Sequence, residues 1–406
     1  MIKLLNKYSF CLVGVLFGCA SCEKNVSINE DVQDGCYIQF TTPTLVLETR
    51  SHTKDYFEDG DAFGVLGYCV PYTVGTSTPN YGSGSASWSN KKKQCPPDVF
   101  YKQKVLINAD GCIYNYKGGN GNNPKYWYRD GYDTTGASNL DITNTSGYNY
   151  SFIAYYPYEG AFTIEEPANE STAGAPVLTF TMPQEGNSLD TPLDHSKTPD
   201  AMLSVLYNRL QSDGNLNFNF SHVLTGLGFE VNNFSDYDLI IHSIFLKGTF
   251  YKTVKVDLRG DKVVYSFSDD RYTGTYTIFN AESMGGNLFL SAPAEGEIMT
   301  SSPSPIGPIR DELDGRNEHL LLISGTGYSF GEDVEVYINY TFNGKFKKQH
   351  YPRPSTFTPR PGVKYTAQLN FVGEAFVLQF VTDNDEQWGN GMADDGNEEN
   401  DDIIFE

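Results

Sequence analysis

The chain has 406 residues, of which 28 are Tyr and 26 Phe, with 39 Gly, 20 Pro and a formal net charge of −22. That length makes two domains the natural expectation, and the apolar content is enough for cores, which excludes a wholly disordered chain. The charge argues against nucleic acid and anionic membrane surfaces as partners, and the aromatic, Gly and Pro content suits short strands joined by turns better than a helical bundle.

Residues 1–22, MIKLLNKYSFCLVGVLFGCASC, open with Lys3 and Lys7, continue through an apolar run and end on small residues before a cysteine. The apolar run is shorter than the roughly 18–20 residues that span a bilayer, so it reads as a secretory leader of lipoprotein type. Cys19 is the preferred lipidated residue and Cys22 the alternative. Removing the leader takes the net charge to about −24. No other apolar run is long enough to cross a bilayer, so a lipid is the expected anchor.

Residues 36–50, CYIQFTTPTLVLETR, alternate as a strand. Ile38 and Phe40 share one face, and Leu45 and Leu47 later share a face. The stretch ends at Arg50, the sole arginine before Arg129, followed by Ser51 and His52. A strand beside an isolated arginine, close behind such a leader, suggests a placeholder that is cut away so that another subunit's strand can fill its slot.

Farther along, a turn at Asp59-Gly60 precedes a buried strand over 62–70, and residues 104–116 read as a hairpin around Asp110-Gly111. Residues 73–90 and 117–147 read as long loops. The aromatic stretch 148–158 and the short run 176–182 read as strands, and 184–199 as a linker. Residues 200–210 fit a short helix or an irregular strand equally well. Strand patterns then recur over 216–231, 239–246, 250–258, 262–268, 275–279, 287–291, 318–324, 334–342, 363–371 and 376–381. Residues 383–402 carry nine acidic residues and no basic one before Ile403-Ile404-Phe405. The expected fold is all-β, two β-sandwiches in tandem: 1–22 leader, 23–199 and 200–382 domains, 383–406 acidic tail.

Chemistry is sparse. Cys36, Cys69, Cys95 and Cys112 form an even set that, in an exported chain, reads as candidate disulfides with three pairings. Their spacing matches no zinc motif, and the histidines at 52, 195, 222, 242, 319 and 350 form no metal pair. Ser221 and His222 are strand neighbours, so they point to opposite faces. Asp383-Asn384-Asp385 has Trp388 where a calcium loop needs glycine. Neither a cofactor, a metal site nor an enzyme is expected. Tyr126-Trp127-Tyr128 are the candidate glycan contact, since aromatic faces stack on sugar rings.

The order of these segments resembles a family. The leader is followed by Thr49-Arg50-Ser51, then Phe57-x-x-Gly60-Asp61-x-Phe63-Gly64-Val65 and the Asp110-Gly111 hairpin. Phe152-Ile153-Ala154-Tyr155-Tyr156-Pro157, Phe220-Ser221-His222-Val223-Leu224 and Pro361-Gly362-x-x-Tyr365 come next, with Trp388 last. Together they resemble the fimbrillin-like (Mfa-like) pilins of Bacteroidetes, subunits of type V pili, across nearly the whole mature chain. The resemblance implies two transthyretin-like sandwiches in an outer-membrane lipoprotein on the cell surface. It further implies cleavage by an arginine-specific protease between Arg50 and Ser51, and replacement of the first strand by one from a neighbouring subunit. Expected partners are other pilin subunits and a host or bacterial surface receptor, in a stalk, tip or accessory place. The donor strand is expected from the C-terminal region, at 376–381 or 403–405. The alternative is a surface lipoprotein that binds glycans for uptake.

Overall fold

A computed structural model describes residues 37–45, 56–70, 97, 99–116, 123–125, 127, 149–164, 177–183, 193, 195–258, 263–303, 319–325, 328–329, 333–352, 357, 359–387 and 404–405. Numbered along the chain, the strands fall into four larger sheets and one small hairpin. The first sheet holds β1 (Thr44–Leu45), β2 (Ala62–Val70), β3 (Phe100–Asn108), β4 (Gly111–Tyr114), β5 (Asn149–Tyr156), β8 (Met202–Arg209) and β9 (Asn219–His222), in the order β1-β9-β8-β5-β2-β3-β4. The second holds β6 (Phe162–Ile164), β7 (Val177–Thr181), β12 (Thr253–Asp257), β13 (Val264–Phe267) and β24 (Ile404–Phe405).

The third sheet holds β11 (Leu239–Tyr251), β14 (Arg271–Asn280), β15 (Leu288–Leu290), β20 (Glu335–Phe342) and β21 (Lys345–Pro352). The fourth holds β10 (Thr225–Asn233), β16 (Met299–Ser301), β17 (Leu320–Leu322), β22 (Val363–Val372) and β23 (Ala375–Gln387), and β18 (Ser324–Gly325) pairs with β19 (Tyr328–Ser329). Among the described residues there is one short α-helix, α1 (Ala281–Met284), capped by the Asn280 side chain and closed by Gly285. The fold is all-β, as the composition and the alternation require.

The ambiguous stretch after residue 200 is strand β8, and β8 and β9 both pair into the first sheet, so sheet membership does not change at residue 200. Likewise β12 pairs with β7. Only Lys252 separates β11 from β12, so one long hairpin runs from the third sheet into the second. The hairpin turn read at Asp110-Gly111 is centred one residue earlier, because Asn108 and Gly111 are cross-strand partners.

Two cores result. The larger lies between the outward face of the first sheet (Leu66, Tyr68, Ile153, Tyr155) and the second (Phe180, Val256), and continues into the third and fourth sheets through Leu246, Ile338 and Leu369. The smaller is enclosed by the first sheet itself and is rich in aromatic rings set among aliphatic side chains. Strands β2 and β5 serve both cores, which is why nearly every residue in them is buried. Gly64, opposite Tyr155 in this pair, has no room for a Cβ because the Tyr155 ring lies over it.

Candidate functional site

The segment 37–45 runs over the smaller core with the period of a strand. Ile38 and Phe40 are 0% and 5% exposed, whereas Gln39 and Thr42 face water. Phe40 is the hub of the aromatic cluster. Its ring centroid lies 5.5 Å from those of Tyr114 and Phe218, 5.9 Å from Phe100, and 6.3 Å from Phe63 and Phe152. Those rings come from β3, β4, β2, β5 and the stretch before β9, so one side chain ties together most of the sheet.

The backbone of the segment is held more sparsely. Leu216 N–H donates to Gln39 O (2.8 Å), Thr41 N–H to Leu216 O (2.9 Å) and Thr44 N–H to Phe218 O (2.9 Å). β1 then continues in parallel with β9, Thr44 opposite Asn219 and Leu45 opposite Phe220, and it is the terminal strand of its sheet. Parallel pairing is slightly weaker per residue than the antiparallel pairing used by the rest of this sheet.

On its other flank the segment meets the far edge of the same sheet. Tyr114 Oη, on β4, donates to Ile38 O (2.7 Å), and Cys112 Sγ donates to Thr41 O (3.2 Å). Ile38 N–H donates to Lys125 O (2.8 Å), and Trp127 Nε1 donates to Tyr37 O (3.0 Å). The two edges of the sheet thus face each other across residues 37–45. A cavity of about 460 Å³ opens along this seam between residues 38–42, the turn 109–112, Pro124 and Asn215. Burial pushes the Cys112 thiol up to about 12 and raises the Tyr114 phenol further, so both stay protonated donors at neutral pH.

Several expected site residues find other uses. Trp127 is 1% exposed, packs edge-on against Tyr150 at 4.7 Å and spends its N–H on Tyr37, so it presents no face to a sugar. This corrects the glycan contact expected there; Tyr126 and Tyr128 lie outside the described residues. Cys69 is buried in β2, and Cys112 is a free thiol, so no disulfide joins the two. Cys19, Cys22, Cys36, Cys95, Arg50 and Ser51 also lie outside the described residues. Tyr114, Cys112 and Trp127 were not readable as contacts of the first segment. They lie 71 to 90 residues from the carbonyls they bind, and no local pattern marks such a pairing.

His222 is buried and its Nδ1 lies 2.6 Å from Asp200 Oδ1, which ties β9 to the entry of β8. Replacing it by Leu removes one hydrogen-bond partner from a carboxylate that is only 12% exposed. The expected loss is about 1–3 kcal/mol in urea unfolding of His222→Leu. A change under about 0.5 kcal/mol, the range of neutral surface substitutions, would mean that the pair contributes nothing. Among the described residues no three His, Cys, Asp or Glu side chains converge as a metal site. Asp383 and Asp385 belong to the extended β23. Nor is any helix of the described residues long and apolar enough to cross a membrane.

Comparison with known proteins gives a coherent result. The profile of the family described as Fimbrillin-like matches residues 49–382. A fimbrial protein from Bacteroides vulgatus is 14% identical, with 80% of this chain and 93% of that one covered and a TM-score of 0.47. A candidate cell adhesion protein from Bacteroides uniformis is 14% identical, covering 88% and 100% of the two chains, with a TM-score of 0.41. The fimbrial anchor protein Mfa2 from Porphyromonas gingivalis is 10% identical over 86% and 97%, with a TM-score of 0.31. Among curated proteins, none matches.

Proposed function

The chain belongs to the fimbrillin-like family, and from that premise we propose that it is a non-catalytic structural or adhesive subunit of a surface fimbria. Its neighbours join it by strand replacement. An arginine-specific protease cuts between Arg50 and Ser51, the segment ahead of the cut leaves, and an extended strand of another subunit takes its place. Before processing, a lipid on Cys19 or Cys22 holds the chain at the outer membrane.

The observation that carries this reading is that residues 37–45, at the end of the first sheet, bury alternate apolar side chains over the smaller core. Removal of the segment breaks its parallel pairing with residues 216–220 and its bonds to Lys125, Tyr114, Cys112 and Trp127, and leaves the antiparallel ladders of the rest of the sheet intact. It also bares the aromatic groove under Ile38 and Phe40, which is unfavourable in water. A replacement strand with apolar residues two apart restores both the ladder and the burial. At roughly 1.5–3 kcal/mol for each fully buried side chain, two such residues contribute about 3–6 kcal/mol to the joint, beside the restored ladder. The uptake lipoprotein reading loses its main support with Trp127 buried.

The test is limited digestion of the purified chain with an Arg-specific protease, followed by N-terminal sequencing, sizing and thiol labelling. The expected product begins at Ser51 and forms higher oligomers. Cys112 supplies an internal reporter. Burial holds its thiol in the protonated form at pH 8, so it reacts slowly while Thr41 covers it. Loss of the segment, which removes the Thr41 carbonyl that Cys112 Sγ bonds, is expected to raise its labelling rate. A cut chain that stays monomeric, with Cys112 as slow as before, contradicts replacement.

A further inference from the structure

The outward face of the third sheet carries a row of side chains that the reading above leaves unused. Phe289 on β15 lies opposite Ile240 on β11, Ile240 lies opposite Thr341 on β20, and Thr341 lies opposite Phe346 on β21. Cross-strand partners share a face, so the four form one line across the sheet, roughly 14 Å long at about 4.8 Å per strand. Phe289 and Phe346, at its two ends, are each 57% exposed. Leaving two large aromatic rings in water has no benefit to folding.

Between them lies a fixed polar group. His242 Nδ1 is 2.8 Å from Asn287 Oδ1, and its Nε2 is 2.8 Å from Thr341 Oγ1. An imidazole that carries a proton on Nδ1 donates to Asn287 Oδ1, and its Nε2 pairs with the Thr341 hydroxyl, so both ring nitrogens are used. The Asn287 amide N–H groups and the hydroxyl are then held in place beside the rings. The His242 ring itself lies 5.5 Å from that of Phe346.

Charge narrows the class of ligand. The chain as a whole is −22, yet β21 reads KFKKQHYP, with three lysines, a histidine and no acid. Lys348 is exposed and its Nζ lies 5.7 Å from the centre of the Phe346 ring. Glu335, an acid on this face, is six residues from Thr341, about 20 Å along the strand, and it accepts from Tyr337 Oη and faces His350 Nδ1; Asp333 lies farther along and accepts from Thr249. Asp238, at the start of β11, accepts from Ala292 N–H.

We propose that the row from Phe289 to Phe346 is a binding platform for an acidic oligosaccharide. Sugar rings stack on the two phenyl faces, Asn287 and Thr341 hydrogen-bond hydroxyls between them, and a carboxylate meets Lys348 at the β21 end. Flat apolar faces flanking fixed polar groups suit a pyranose chain, whose ring faces are apolar and whose rim is hydroxylated. An acidic peptide such as residues 383–402 of a second copy offers charge but only one aromatic residue, Trp388, for two rings. This platform is independent of strand replacement, since none of residues 37–45 contributes to it.

Calorimetric titration of the intact, uncleaved chain tests it, with hexagalacturonate as the acidic probe and maltohexaose as the neutral one. The expected result is binding of hexagalacturonate in preference to maltohexaose. Phe289→Ala and Phe346→Ala are each expected to weaken it about tenfold, and Lys348→Gln to remove the preference. Both rings are exposed, so unchanged melting curves serve as the folding control. The proposal is overturned by no heat with either probe at millimolar concentration, by equal binding of the two, or by binding indifferent to both Phe variants. Tighter binding of a synthetic 383–402 peptide, lost in Phe346→Ala, reassigns the face to a second copy and overturns it too.

Discussion

Phe40→Ala is expected to destabilise the chain by about 3–5 kcal/mol, the range for removing a fully packed phenyl ring. The ring is 5% exposed and meets five other rings from four strands and the stretch before β9. No single neighbour is able to collapse into the space, because each of those rings is itself held by the sheet that carries it. Truncation therefore leaves both lost burial and a cavity, and the two costs add. Thr42→Ala, two residues on along the same segment, is the control. Its side chain faces water, so a change within about 0.5 kcal/mol is expected. Guanidinium unfolding followed by tyrosine fluorescence reads both. A Phe40→Ala loss below 1 kcal/mol would falsify the central role given to this ring, and with it the claim that residues 37–45 are held chiefly by apolar burial.

How much of this was legible before any coordinates is clearest strand by strand. The alternation of Ile38 and Phe40, the buried run 62–70 and the aromatic strand at 148–158 were readable, because burial on one or both faces writes itself into local sequence. Strand β21 was not. Its residues are polar or exposed on both faces, as befits a sheet edge, so KFKKQHYP has no apolar period to detect. The pairing of β8 and β9 with the first sheet was equally hidden, since partner choice depends on contacts far apart in sequence. Trp127 misled for a related reason. It sits among Gly, Asn and Asp residues that look like an exposed loop, and only the three-dimensional neighbourhood of Tyr150 and Tyr37 shows that the ring is core. The first segment was legible as a strand, but its clamp of Cys112, Tyr114, Lys125 and Trp127 was not.

The energy assigned to Phe40 carries over to assembly, and the largest functional effect follows from it. Once the chain is cut behind Arg50 and the segment dissociates, a synthetic peptide of residues 37–50 is expected to rebind the groove. It is also expected to block formation of higher oligomers. The same peptide with Phe40→Ala loses the ring that fills the aromatic pocket. A deficit of about 3–5 kcal/mol at 1.4 kcal/mol per tenfold corresponds to a loss of roughly two to three and a half powers of ten in affinity. Backbone hydrogen bonds are common to both peptides, so the comparison isolates the side chain. Fluorescence anisotropy of labelled peptides on the cleaved chain measures the ratio, and Cys112 labelling reports occupancy of the same site through Thr41. If the two peptides bind within tenfold of each other, the groove does not select alternate apolar side chains. An incoming strand would then be recognised by its backbone alone, which gives no means of choosing one subunit's strand over any other extended chain in reach.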